Sequence, residues 1–312
     1  MSSAFPPREM GYRMHRDELS DSDDESGTPP LLSVVIPVWN RRRLVCESID
    51  SALGQRPGEV EVIVVDDVST DGTPDEVERL YGSRVRLLRM PERRGPAAAR
   101  NAGVAAATGT LLGFLDSDDL WLPGKLDAEL RILDQFEGAD AVITDSLGFV
   151  EGRQQDATRF EEIGLLAATE GKPRWVRDCR WLWTNSSNGV SMCSMTIRRA
   201  ALARIASTLF AEDLESFEDW ELELRLYDRC RVVALPEVWS WVRRFDDGTR
   251  SGRAMPGTPL TREQQLEYQR IRLKIMERAQ WESALGHDLR AELERCRAEI
   301  AGELARVAEG RE

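Results

Sequence analysis

Apolar residues cluster in short, nearly continuous runs that alternate with amphipathic stretches through the first 145 residues. Leu32 to Val38, Val60 to Val65, Val85 to Leu88 and Leu111 to Leu115 predict strands buried on both faces, as parallel sheets require. Leu44, Val45, Ile49 and Leu53 recur at helical spacing between the first two runs. Thr73-Pro74-Asp75-Glu76 reads as an N-cap, a proline at the first helical position and acids in the first turn, predicting a helix through Tyr81. Pro96 opens an alanine-rich helix that Gly109 is expected to end in the left-handed conformation. Such alternation predicts an α/β fold: a single Rossmann-like, mostly parallel sheet flanked by helices, with the loops at the carboxyl ends of its strands converging on one crevice.

Carboxylates stand where two of these runs stop, at Asp66-Asp67 with Asp71, and at Asp116-Ser117-Asp118-Asp119. Two aspartates separated by one residue offer only oxygen, which suits magnesium or manganese with coordination positions left for phosphate. In isolation a D-x-D is more often a capping turn. Here a second acidic loop, and Trp39-Asn40 at a third strand end, favour a binding crevice. Arg100 lies near the start of the alanine-rich helix, where a planar fork of donors could reach a diphosphate or a base, or make an ordinary surface ion pair. No G-x-G-x-x-G and no P-loop is present.

Four segments in order, Ser33 to Asn40, Val64 to Thr73, Gly95 to Asn101 and Leu115 to Asp119, resemble the successive motifs of family 2 glycosyltransferases with the GT-A fold. The resemblance runs from about residue 31 to 252. It implies a nucleotide-sugar donor, with Pro37, Trp39, Asn40 and Asp66 or Asp67 at the base and ribose and Arg100 at the nucleotide. Asp116 and Asp118 match the family's D-x-D for Mn2+ or Mg2+, with Asp118 preferred for direct metal contact and Asp119 blurring the assignment by one position. Glu218-Asp219 is similar to the family's E-D motif, making Asp219 the base that deprotonates an acceptor hydroxyl. Direct displacement with inversion follows from the resemblance. So does a basic loop closing over the donor diphosphate, with Arg243 and, second, Arg244 as candidates. A metal-dependent nucleotidyltransferase remains an alternative, although this chain has Trp39-Asn40-Arg41-Arg42-Arg43 where such enzymes open with a glycine-rich loop. A catalytically inactive nucleotide-sugar-binding relative is the other, and it would have no chemical need for Asp116, Asp118 and Asp219 together.

The remaining composition narrows the chemistry. Only His15 and His287 are present, both outside the motifs, so carboxylates must perform acid-base work. Five cysteines without a C-x-x-C pair fit reduced thiols and a cytoplasmic location. A net charge of −13 argues against nucleic acid as a partner. The longest uncharged run, Ala102 to Leu115, is too short to span a bilayer, which leaves peripheral association open. Residues 1–30 read as a disordered acidic tail and 31–255 as the catalytic domain, divided into a nucleotide-sugar half (31–150) and an acceptor and base half (151–255). Residues 256–312 read as a helical extension that either covers its own domain or pairs subunits in a homo-oligomer. Between 151 and 187 no periodicity is evident; Trp175, Trp181 and Trp183 there could stack on a saccharide acceptor or simply fill a core.

Overall fold

The computed structural model describes residues 29–150, 153–176, 189–214 and 216–245, with short helical stretches between 269 and 275 and between 294 and 306. Its first half alternates β1 (Leu32–Val38), α1 (Leu44–Leu53), β2 (Val60–Asp66), α2 (Thr73–Tyr81), β3 (Val85–Arg89), α3 (Gly95–Ala106) and β4 (Leu111–Phe114). These strands lie in the order β3-β2-β1-β4, every pair parallel. Every residue of β1 is buried, which explains its unbroken apolar run. Along it the pleat sends Val35 into one core and Val34 and Ile36 into the other, so each face of the sheet carries its own hydrophobic layer.

Beyond β4 come β5 (Leu120–Trp121), α4 (Lys125–Gln135), β6 (Ala141–Val150), β7 (Arg153–Thr158), α5 (Arg159–Glu162), α6 (Leu165–Thr169), β8 (Arg174–Trp175), β9 (Met195–Arg198), α7 (Leu202–Ile205), α8 (Glu218–Arg229) and β10 (Val232–Arg244). Strand β9 is antiparallel between β4 and β6, so β6 and its parallel neighbour β10 again run in the direction of β4. The sheet continues through β9-β6-β10-β5, with β7 on β6 and β8 on β10. Both halves of the chain therefore share one sheet, and α8 reaches the carboxyl ends of strands contributed by the other half.

Several local expectations change. Gly109 is not left-handed: α3 ends at Ala106 with Ala107 extended, and Gly109 matters instead because the backbone of β1 passes against it. Thr73 does not cap α2; Gly72 precedes the helix in the left-handed conformation, and Asp71 accepts the Thr73 N–H at 3.0 Å. The aperiodic stretch after residue 151 contains β7, α5, α6 and β8, each too short to show a period. At the carboxyl end, Ile275 and Ile300 are buried in the core cluster that includes Leu209 and Phe210, so these two side chains cover their own domain. Met276, Trp281, Leu289 and Leu293 lie outside the described residues. Among the described residues no helix is long and apolar enough to cross a membrane.

A methyl group on Gly109 would lie 2.6 Å from the Ser33 backbone nitrogen, where neither neighbour can yield. Gly109→Ala is expected to lower stability by about 1–3 kcal/mol, as overpacking does, and urea unfolding would show it as a lower midpoint at unchanged slope.

Candidate active site

The crevice forms where β1, β2 and β4 end. After β1, Asn40 takes a positive φ and joins two loops: its N–H donates to Ser69 Oγ at 2.9 Å and its Oδ1 accepts the Thr70 N–H at 2.8 Å. Trp39 beside it is 42% exposed, and the Arg93 guanidinium lies 3.5 Å from its ring centroid. Pro37 is buried within β1, opposite Val65, rather than at the crevice lip. After β2 the adjacent acids divide their work. Asp67 accepts the N–H groups of Arg94 and Gly95, both at 2.8 Å, and so ties the start of α3 to the sheet. Asp66 accepts the Ser69 N–H through Oδ2 at 3.1 Å, while its Oδ1 is buried with no hydrogen-bond partner. Val68 follows at φ 63°, a sterically costly value for a β-branched residue, in the kind of position that clusters at functional sites.

Arg100 stands at the centre, buried. Its Nη2 meets Asp116 Oδ1 and its Nη1 meets Glu218 Oε1, each at 2.7 Å. Burial works against the guanidinium charge, but Asp116 and Glu218 outweigh it and hold the pKa above the ordinary arginine value. The sequence allowed an arginine reaching for nucleotide or a surface ion pair; the structure instead spends both terminal nitrogens on a buried bridge between two loops.

Within the acidic loop after β4, Asp119 turns inward. Its Oδ1 accepts the Arg243 N–H at 2.9 Å, and its carbonyl accepts from Ser48 Oγ at 2.8 Å. Arg243 braces the same loop: Nε donates to the Asp118 carbonyl at 3.0 Å, Nη2 pairs with Glu47 at 2.7 Å, and the guanidinium lies 4.8 Å from the Phe149 centroid. Asp116 and Asp118 are half-buried. Among the described residues no group of three or more His, Cys, Asp and Glu gathers as a metal site.

Phe217, left-handed and buried, turns the chain into α8. Glu218 then points inward to Arg100, whereas Asp219 stays half-buried, its Oδ1 accepting the Trp220 N–H at 2.8 Å. Burial pushes the Glu218 carboxyl up, Arg100 pulls it down, Asp219 pushes it up further, and the result lies above the usual carboxylate range. Sequence reasoning did not find Glu218 as the partner of Arg100, because 118 residues separate them; its place beside Asp219 was the only signal. Of the three tryptophans, Trp175 packs edge-on to Phe136 with Arg231 4.5 Å from its ring, a core role; Trp181 and Trp183 lie outside the described residues.

The profile of Glycosyl transferase family 2 matches residues 33–204. Succinoglycan biosynthesis protein ExoO of Rhizobium meliloti is 38% identical over 137 residues, 44% of this chain and 38% of that protein. The Escherichia coli UDP-Glc:alpha-D-GlcNAc-diphosphoundecaprenol beta-1,3-glucosyltransferase WfgD is 36% identical over 140 residues, 45% of this chain and 52% of that protein. The matched segments thus span about half, or less, of these relatives' own lengths. Among solved structures, S. aureus TarS 1-349 in complex with UDP-GlcNAc superposes with a TM-score of 0.62 at 24% identity, covering 86% of this chain and 71% of that one. The Pyrobaculum calidifontis mannosyltransferase PcManGT, in complex with GDP-Man and Mn2+, gives 0.57 at 18% identity over 91% of this chain and 76% of that one. The shared architecture is the GT-A type of fold.

Removing the central cation leaves the buried Glu218 and the half-buried Asp116 without their shared partner. Arg100→Met is expected to destabilise the fold by about 3–5 kcal/mol, the scale for breaking a buried ion pair, measured by chemical denaturation at neutral pH.

Proposed function

We infer the reaction from one premise: the chain belongs to glycosyl transferase family 2. It moves a sugar from a nucleoside-diphosphate sugar, with UDP-sugars the first choice, to a hydroxyl of a saccharide or similar acceptor. The observation that carries this reading is the Arg100 bridge, which joins Asp116 of the D-x-D to Glu218, the neighbour of Asp219.

On the donor side, the buried Asp66 Oδ1 lacks a hydrogen-bond partner and suits a base that presents an N–H, such as the uracil imide. Trp39 offers an exposed aromatic face for stacking, Asn40 shapes the wall, and Asp67 acts indirectly by fixing the loop to α3. Asp116 and Asp118 would hold Mg2+ or Mn2+. Their side chains offer only oxygen, the donor type such an ion prefers. When bound, the ion offsets the negative charge developing on the departing diphosphate. Arg243 contributes by holding the Asp118-Asp119 loop in place through its backbone N–H and Nε, with Nη2 on Glu47.

On the acceptor side, Asp219 takes the proton. The acceptor oxygen attacks the anomeric carbon from the face opposite the nucleotide, the bond from that carbon to the diphosphate oxygen breaks with its electron pair, and configuration inverts. A carboxylate can serve as base although a sugar hydroxyl is far less acidic, because the proton leaves late, as the new carbon–oxygen bond forms. Glu218 is held by Arg100 and is not the base.

Asp219→Asn is expected to cut turnover by about 10²–10⁴-fold, the range for a general base, while calorimetric binding of UDP with Mn2+ is retained. Hydrolysis of UDP-glucose, UDP-GlcNAc and GDP-mannose, each with Mn2+ and again with EDTA, checks donor and metal together. Turnover unchanged in the variant would remove Asp219 as the base, and turnover unchanged by EDTA would remove the metal.

A further inference from the structure

Glu223 is fully buried, and the mechanism leaves it without a task. It lies one helical turn after Asp219, so the two carboxyls share a face of α8. Its Oε2 accepts the N–H of Val190 at 3.1 Å, and its Oε1 has no hydrogen-bond partner among the described residues. The preceding Gly189 passes so close that a Cβ there would fall 1.6 Å from Oε2; only glycine lets the backbone approach this carboxyl. From the other side, Arg159 at the start of α5 donates through Nε to the Gly189 carbonyl at 2.8 Å.

We propose that Glu223 is a positioning residue for the transfer reaction, locking the helix that carries Asp219 to the Gly189–Val190 backbone. The inference rests on the reading of Asp219 as base. Asp219 then sits between two anchors on one helix, Glu218 held by Arg100 before it and Glu223 held by Val190 after it. Two fixed points set both the rotation and the advance of α8, and hence the direction of the carboxyl between them, which is the tolerance a base requires. A leucine of similar size would fill the volume but leave the Val190 N–H without its acceptor.

The buried Glu223 carboxyl holds its proton more readily than an exposed glutamate does. Burial first, and Asp219 second, push its pKa well above the ordinary glutamate value; the Val190 N–H and Arg159 pull in the opposite direction without cancelling them. The sign of the linkage follows: the folded state holds this proton more tightly than the unfolded chain, so its stabilising effect is complete at acid pH and is lost as pH rises through the raised value.

Three variants test the proposal: Glu223→Gln, Glu223→Leu and Asp219→Asn, compared in hydrolysis of UDP-glucose with Mn2+, in UDP binding by calorimetry, and in thermal melting from pH 5 to 9. Glu223→Gln keeps a neutral acceptor for Val190. It should retain kcat within about twofold below pH 7 and lose less melting temperature than wild type on going to pH 9. Glu223→Leu should lower kcat at least tenfold with the KM for UDP-glucose and the UDP affinity unchanged. Wild-type kcat in Glu223→Leu, a kcat in Glu223→Gln as low as in Glu223→Leu, or an alkaline loss of melting temperature in Glu223→Gln equal to that of wild type would each overturn it. If Asp219→Asn is inactive while Glu223→Leu is fully active, only the present proposal falls. If Asp219→Asn is fully active, or wild type binds UDP yet cleaves no UDP-glucose, the base reading falls and takes this one with it.

Discussion

A guanidinium buried between two carboxylates is the constraint on which the site depends. Desolvating Arg100 and Glu218 is costly, and the cost is offset only when geometry is good and both carboxylates, Glu218 and the half-buried Asp116, stay in place. Arg100 meets that condition at 2.7 Å on each side. The bridge therefore acts as a gauge. It sets the separation between the loop after β4 and the start of α8, two segments about a hundred residues apart that belong to opposite halves of the chain. Any movement of one with respect to the other would expose a buried charge, so the donor-side and acceptor-side carboxylates are held as one unit.

Around this gauge the acidic residues are divided between support and chemistry. Asp67, Asp71 and Asp119 accept backbone N–H groups from Gly95, Thr73 and Arg243, tying each strand-end loop to the helix or strand beside it. Charge-assisted hydrogen bonds of this type are stronger than neutral ones, and they leave little freedom to the loop they close. Asp66 keeps a second oxygen outside this support, and the Asp219 carboxyl is half-buried. Strain is concentrated in the same loops: Asn40, Val68 and Phe217 all have positive φ within a few residues of these groups, held by the surrounding hydrogen bonds and packing.

Two of the adjacent acid pairs around the crevice behave alike. In Asp66-Asp67 and in Glu218-Asp219, one member is consumed by the fold and its neighbour keeps an oxygen, or a half-buried carboxyl, turned to the crevice. Successive side chains point in different directions along a strand end or a helix start, so a pair can serve both purposes where a single residue could not.

The α/β class, the four parallel strands of the first half and the acidic loops at their ends were all legible in the chain, because strands buried on both faces must be nearly all apolar and their polar ends stand out against that run. The order of the four motifs likewise carried the family. Tertiary structure alone decided what each acid does. Whether Asp67 or Asp66 keeps a vacant oxygen depends on where α3 begins in space, and Asp119 is a brace only because β10 returns beside it. Arg100 has no sequence neighbour to betray Glu218 as its partner, and Gly109 reads as a helix stop until β1 is seen lying against it. Periodicity reports which face of an element is buried; it contains no information about which distant backbone or side chain will meet a given carboxylate, since that is fixed by the packing of the whole sheet.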